Sequence, residues 1–244
     1  MPTGGNFITG CSILTGGKMA FINYHPAFLL ILNVDGSQER KVSLLTRNAL
    51  DIACIDQNTA AVTSPSDKFI QLVDLNTGKT VKYINTNTTC CGITSTNGML
   101  VFSVLGKGLS KVDLKDENIV EIVAFDAIFL SRVTSINDRL YYTNSKRDEV
   151  VCCHINGTIF WTFTYESVLK TPRAITVDEY GHVYVVGANS TNVIVISSNG
   201  TEHRTLLSTA GILDKPRALH YDRKTRQLLV ANNKTSAFIY SVDY

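Results

Sequence analysis

The sequence predicts an all-β fold, a six-bladed β-propeller with four-stranded blades and the last blade short of a strand. Three observations carry this. First, turn signals recur once in about forty residues: Gly36 in VDGS, Gly78 in LNTGK, Glu117 in LKDEN, Gly157 in INGT and Gly200 in SNGT, spaced 42, 39, 40 and 43 apart. Second, each signal is preceded by two short apolar runs. Third, those runs are apolar on both faces instead of alternating, as strands are when sheets cover them on both sides. A period near forty with several short strands per period is the pattern of a propeller. A two-sheet sandwich would give alternating strands and no fixed period.

The units start near residues 6, 48, 88, 129, 171 and 215. KMAFIN and FLLILNV supply the middle strands of the first, AAVTS and FIQLVDL those of the second, and MLVFSV with LSKVDL those of the third. RLYYTN and VVCCHI follow in the fourth, HVYVV and NVIVISS in the fifth, and QLLVAN with SAFIYSVDY in the sixth. The glycines are expected in the outer hairpins, where a tight turn needs positive φ. The sixth unit stops after its third strand, and MPTGG is too short to be the fourth. The chain therefore reads as one propeller, residues 1–244, cut from a longer protein that holds the missing strand.

Composition excludes more than it assigns. A formal charge of +2 on 244 residues does not call for nucleic acid or an anionic membrane. The longest apolar run, 27–32, is far short of the roughly 20 residues that cross a bilayer. The N-terminus has neither the basic region nor the apolar core of a secretory signal, so a cytoplasmic, membrane-free protein is expected. Cys11, Cys54, Cys90, Cys91, Cys152 and Cys153 form no C-x-x-C pair and read as buried thiols of a reducing compartment. The sequons at Asn87, Asn156, Asn189, Asn199 and Asn233 accordingly read as turn residues. Trp161 and Tyr165 are expected to cover the neighbouring blade, the alternative being an exposed docking patch.

PRAITVDEYGHVYVVGANSTNVIVISSNG and KPRALHYDRKTRQLLVAN resemble NHL repeats, and NFITGCSILTGGKMAFINYHPAFLLILNVDG resembles the opening blade of propellers that end many tripartite-motif (TRIM) proteins. Ala188 and Asn232 stand where the repeat has its aspartate. The resemblance implies the target-recognition end of a ubiquitin ligase whose RING, B-boxes and coiled coil lie upstream. It implies a monomeric isolated propeller, a parent dimeric through the coiled coil, and no chemistry in this chain itself.

In that family, ligands meet the face where loops enter the innermost strands. Here those loops place Arg132, Arg173 and Arg217 equivalently in three successive blades. Thr9 and Cys91 hold the place in blades one and three, and Asp51 or Ile52 in blade two. Guanidinium forks suit carboxylate or phosphate, although an arginine at this place can instead bond neighbouring carbonyls. Loops on the same face add Tyr24, His25, Lys107, Lys146, Arg147 and Lys234. The expected partner is a protein with an anionic segment. RNA is the alternative, but stacking groups are few for it. A calcium-dependent lactonase-type hydrolase would need Glu, Asp and Asn at the channel mouth. Asp56, Asp178 and Asp222 read instead as turn residues, and His182 and His220 as structural, so no catalytic role, metal or cofactor is expected.

Overall fold

The computed structural model describes residues 7–208, 213–233 and 236–242. Among them, five antiparallel sheets of four strands and one of three form six blades. Innermost strands begin at Ile8, Asp51, Cys90, Val133, Pro172 and Pro216. The strands of each blade follow in sequence order from the channel outward. The middle strands Met19–Asn23, Phe28–Leu32, Val183–Gly187 and Asn192–Ile196 are buried along their whole length. The outer strand Gln38–Ser43 buries only Val42.

Six apolar clusters fill the six gaps between blades. The last gap closes the ring: Phe21, Phe28 and Leu30 of blade one pack against Ala218, Leu229 and Ala231 of blade six. Ile8 N–H also donates to Asn233 O at 3.2 Å. Neighbouring residues of one strand serve different gaps. Cys152 packs towards blade five and Cys153 towards blade three, since side chains alternate across a strand. All six cysteines are free thiols, and burial pushes Cys90 up to about 12 and Cys91 to about 11.

Gly36, Gly78, Gly157 and Gly200 turn the outer hairpins with positive φ. In blade three Glu117 does so at φ 57° and donates its N–H to Asp113 O at 2.9 Å. Trp161 leaves blade four to cover blade five, donating its indole N–H to Ser198 O at 3.1 Å. Tyr165 lies 4.6 Å, centroid to centroid, from His203 of the same neighbour. No helix among the described residues is long and apolar enough to cross a membrane.

Candidate functional site at the channel mouth

Each innermost strand starts at one mouth of the channel, which gathers the residues at the strand heads there. The six heads are Thr9, Asp51, Cys91, Arg132, Arg173 and Arg217. Close approach of neighbouring heads depends on two small residues. A Cβ on Gly92 would stand 2.5 Å from Arg132 Cα, and one on Gly10 would stand 3.0 Å from Asp51 Cα. Glycine at both places lets adjacent innermost strands come into backbone-to-backbone contact.

Of the three arginines, Arg132 is the buried one, 6 % exposed. Its Nε lies 3.5 Å from Asp51 Oδ2, and its Nη1 donates to Phe129 O at 3.0 Å. Asp51 spans three blades. Its Oδ2 also accepts the N–H of Ile93 in blade three, and its Oδ1 accepts the N–H of Ile52, both at 3.0 Å. Burial raises the Asp51 carboxyl to about 6, against the opposing pull of Arg132 and the two amides. Desolvation wins because only one of the three contacts is a full charge.

The raised value makes a pH prediction. The folded protein holds the Asp51 proton more tightly than the unfolded chain does. The resulting stabilisation is complete below the ordinary carboxylate value of 3.8 and fades as pH rises through about 6. Chemical denaturation of the parent and of Asp51→Asn should therefore diverge between pH 4 and 6.5. The parent should lose on the order of 2 kcal/mol relative to the variant. A constant difference across that range would show that Asp51 titrates normally.

Arg173 and Arg217 differ from Arg132. Both are partly exposed, and among the described residues no hydrogen bond or ion pair reaches either guanidinium. Each lies over an aromatic ring instead, Arg173 over Phe129 at 5.9 Å and Arg217 over Phe7 at 5.6 Å. Burial, then repulsion from Arg132 and Arg217, lowers Arg173 to about 9. Burial, then Arg132, lowers Arg217. Phe7, Thr9, Tyr24, Leu50, Phe129 and the three arginines enclose a recess of about 290 Å³. Thr9 and Arg132 also line a polar chamber of about 210 Å³ in the channel beneath it. Arg223 of blade six reaches across that chamber, donating to Ser135 O at 2.6 Å and Val177 O at 3.3 Å.

Of the other cations named from the sequence, the described ones do not line the recess. Lys107 stands 4.0 Å from Glu121, and Lys146 pairs with Asp126, all four side chains being exposed. Arg147 is exposed. His25 is also exposed, with Nδ1 3.2 Å from Arg47 O. Lys234 lies outside the described residues. Of the loop residues, Tyr24 joins the arginines. Asp178 is wholly buried in its turn and takes the N–H groups of Tyr180 and His182. The His220 ring accepts the N–H of Ile13 at Nδ1, 3.1 Å away, and burial lowers it to about 4. No group of three or more metal-ligating side chains occurs among the described residues.

Neither a family model nor a curated protein matches the chain. Solved structures do match in fold. The virginiamycin B lyase of Staphylococcus aureus aligns with TM-score 0.69 at 16 % identity, over 98 % of this chain and 85 % of that one. A structural-genomics protein of unknown function from Bacteroides thetaiotaomicron gives TM-score 0.77 at 11 %, over 96 % and 70 %. A structure of the nidogen/laminin complex gives 0.69 at 12 %, over 80 % and 79 %. These likenesses show the six-bladed propeller. They also correct the expectation of a chain without catalytic role: lyases share this architecture, including a streptogramin B lyase at TM-score 0.71. The absence of a carboxylate ring does not remove chemistry from such a scaffold, because activity belongs to the site and not to the fold.

Proposed function

We propose that the channel mouth binds an anionic segment of a protein partner, with Arg173 and Arg217 as its contacts. One observation carries the reading. Two half-buried guanidiniums line one recess without a carboxylate among its described lining residues, and burial, then the neighbouring guanidiniums, disfavours their charge. An arrangement that costs the free protein energy is relieved when an anion arrives. Arg132 is not such a contact, since it is committed to Asp51 and to a carbonyl. In a longer protein of TRIM type, this face would select the target.

The test compares an acidic octapeptide with a single-stranded RNA octamer in titrations from 50 to 200 mM salt. The peptide should bind with a shallow salt dependence, because two guanidiniums engage it. An RNA held through about six of its phosphates would lose on the order of 10²–10³ in affinity over the same range. Tight, steeply salt-dependent binding of the RNA, with none of the peptide, would replace the protein reading by the nucleic-acid one. No binding of either would remove the anion site.

A further inference from the structure

We propose that the recess receives the C-terminal residue of the partner, with its free α-carboxylate on Arg173 and Arg217 and an apolar side chain among Phe7, Leu50 and Phe129. The inference rests on the anion-binding reading above and goes further by naming which part of the partner enters.

Shape is the first argument. The recess, at about 290 Å³, is at the lower edge of the roughly 300–1,000 Å³ usual for ligand sites. Its floor is occupied by Arg132, buried and tied to Asp51. An internal acidic residue must bring its backbone in and lead it out again. A chain end needs only the way in.

The walls supply the second argument. Phe7 and Phe129 are 40 % and 46 % exposed, large aromatic surfaces beside a binding recess. Each carries a guanidinium over its face, which leaves the N–H edges of that guanidinium free for an anion. The ligand must therefore be anionic and apolar within the same few ångströms. An aspartate or glutamate within a chain puts polar peptide groups against the aromatic walls, and each costs energy if left unpaired. A C-terminal phenylalanine, leucine or methionine carries carboxylate and apolar side chain on a single Cα.

Depth is fixed by charge. Asp51 lies below the two free arginines, so an anion pushed further in meets a carboxylate and one arginine already engaged. The carboxylate of the ligand therefore stops level with Arg173 and Arg217.

Calorimetric titration would use four probes: an N-acetylated tetrapeptide ending in Leu-Phe with a free carboxylate, the same peptide amidated, an N-acetylated and amidated tetrapeptide with aspartate inside, and 3-phenylpropanoate. The free acid should bind, and amidation should weaken it at least tenfold, because it removes the charge that both forks grip. Phe129→Ala, which keeps both guanidiniums but removes the ring beneath Arg173, should weaken the free acid several-fold and more than it weakens the aspartate peptide. If the aspartate peptide binds as tightly as the free acid, the chain-end inference fails while the anion site stands. If 3-phenylpropanoate alone matches the free acid, the site takes small apolar carboxylates and not chain ends. If no probe binds, the inference and the anion reading fall together.

Discussion

A protein carrying Arg173→Ala together with Arg217→Ala should lose partner binding by a hundredfold or more, yet melt no lower than its parent. The two halves of this expectation have one cause. Each guanidinium forms a charge-assisted contact with the ligand, worth roughly 1.5–3 kcal/mol when desolvated. Losing both exceeds the roughly 2.7 kcal/mol that a hundredfold represents. In the free protein burial disfavours these charges and neighbouring arginines repel them, which is why Arg173 sits near 9. Their removal gives up two ring contacts, each worth about 0.5–1 kcal/mol, and relieves that repulsion. Lys41, whose ammonium lies over Phe28 on an outer strand, is the control: Lys41→Ala should bind normally. Binding by the double variant as tight as the parent's would make the arginines structural. A large drop in melting temperature would contradict the repulsion described for the recess.

Gly92→Ala should instead damage the fold itself. Its added methyl would be 2.5 Å from Arg132 Cα and 2.8 Å from Ser131 O. Both are backbone atoms, which cannot step aside as a flexible side chain could. Gly92 N–H also donates to the buried Ser103 hydroxyl at 2.8 Å, so the strand cannot retreat without losing that bond. Overpacking of this kind costs roughly 1–3 kcal/mol, occasionally more. Equilibrium unfolding in urea measures it. An unchanged midpoint would show that blades three and four can separate freely. Ligand affinity should fall as well, because the move displaces Arg132 and with it the floor of the recess.

The sequence carried the architecture because the hairpin turns repeat a physical demand at a fixed period. Positive φ in the outer hairpin calls for glycine four times and is met once by Glu117, a residue marked there by the period and not by turn chemistry. Arg132, Arg173 and Arg217 were legible for a related reason: one blade of spacing separates each from the next, and the fold converts that spacing into a shared rim. Asp51 was only half legible. In the run LDIAC two neighbouring residues compete for the head of the strand, and a shift of one position exchanges the carboxylate for an isoleucine. The aromatic walls were not legible at all. Phe7 lies just before the first strand and Phe129 in a long loop, neither at a repeating position. Arg223 was equally hidden, since it crosses the channel to a carbonyl 88 residues distant. Lys107 and Lys146 looked like part of a basic face from sequence because their acidic partners, Glu121 and Asp126, lie 14 and 20 residues away and come close through the fold.

The six strand heads around the mouth are threonine, aspartate, cysteine and then three arginines in succession. A propeller is close to rotationally symmetric, and six identical heads would offer a ligand six equivalent settings about the axis. This ring is polarised: its cations fill one half-turn, while the other half holds two uncharged heads and one carboxylate. A bound chain can therefore point its anion toward only one sector. The direction in which the rest of that chain leaves the mouth is set by which blades carry the charge.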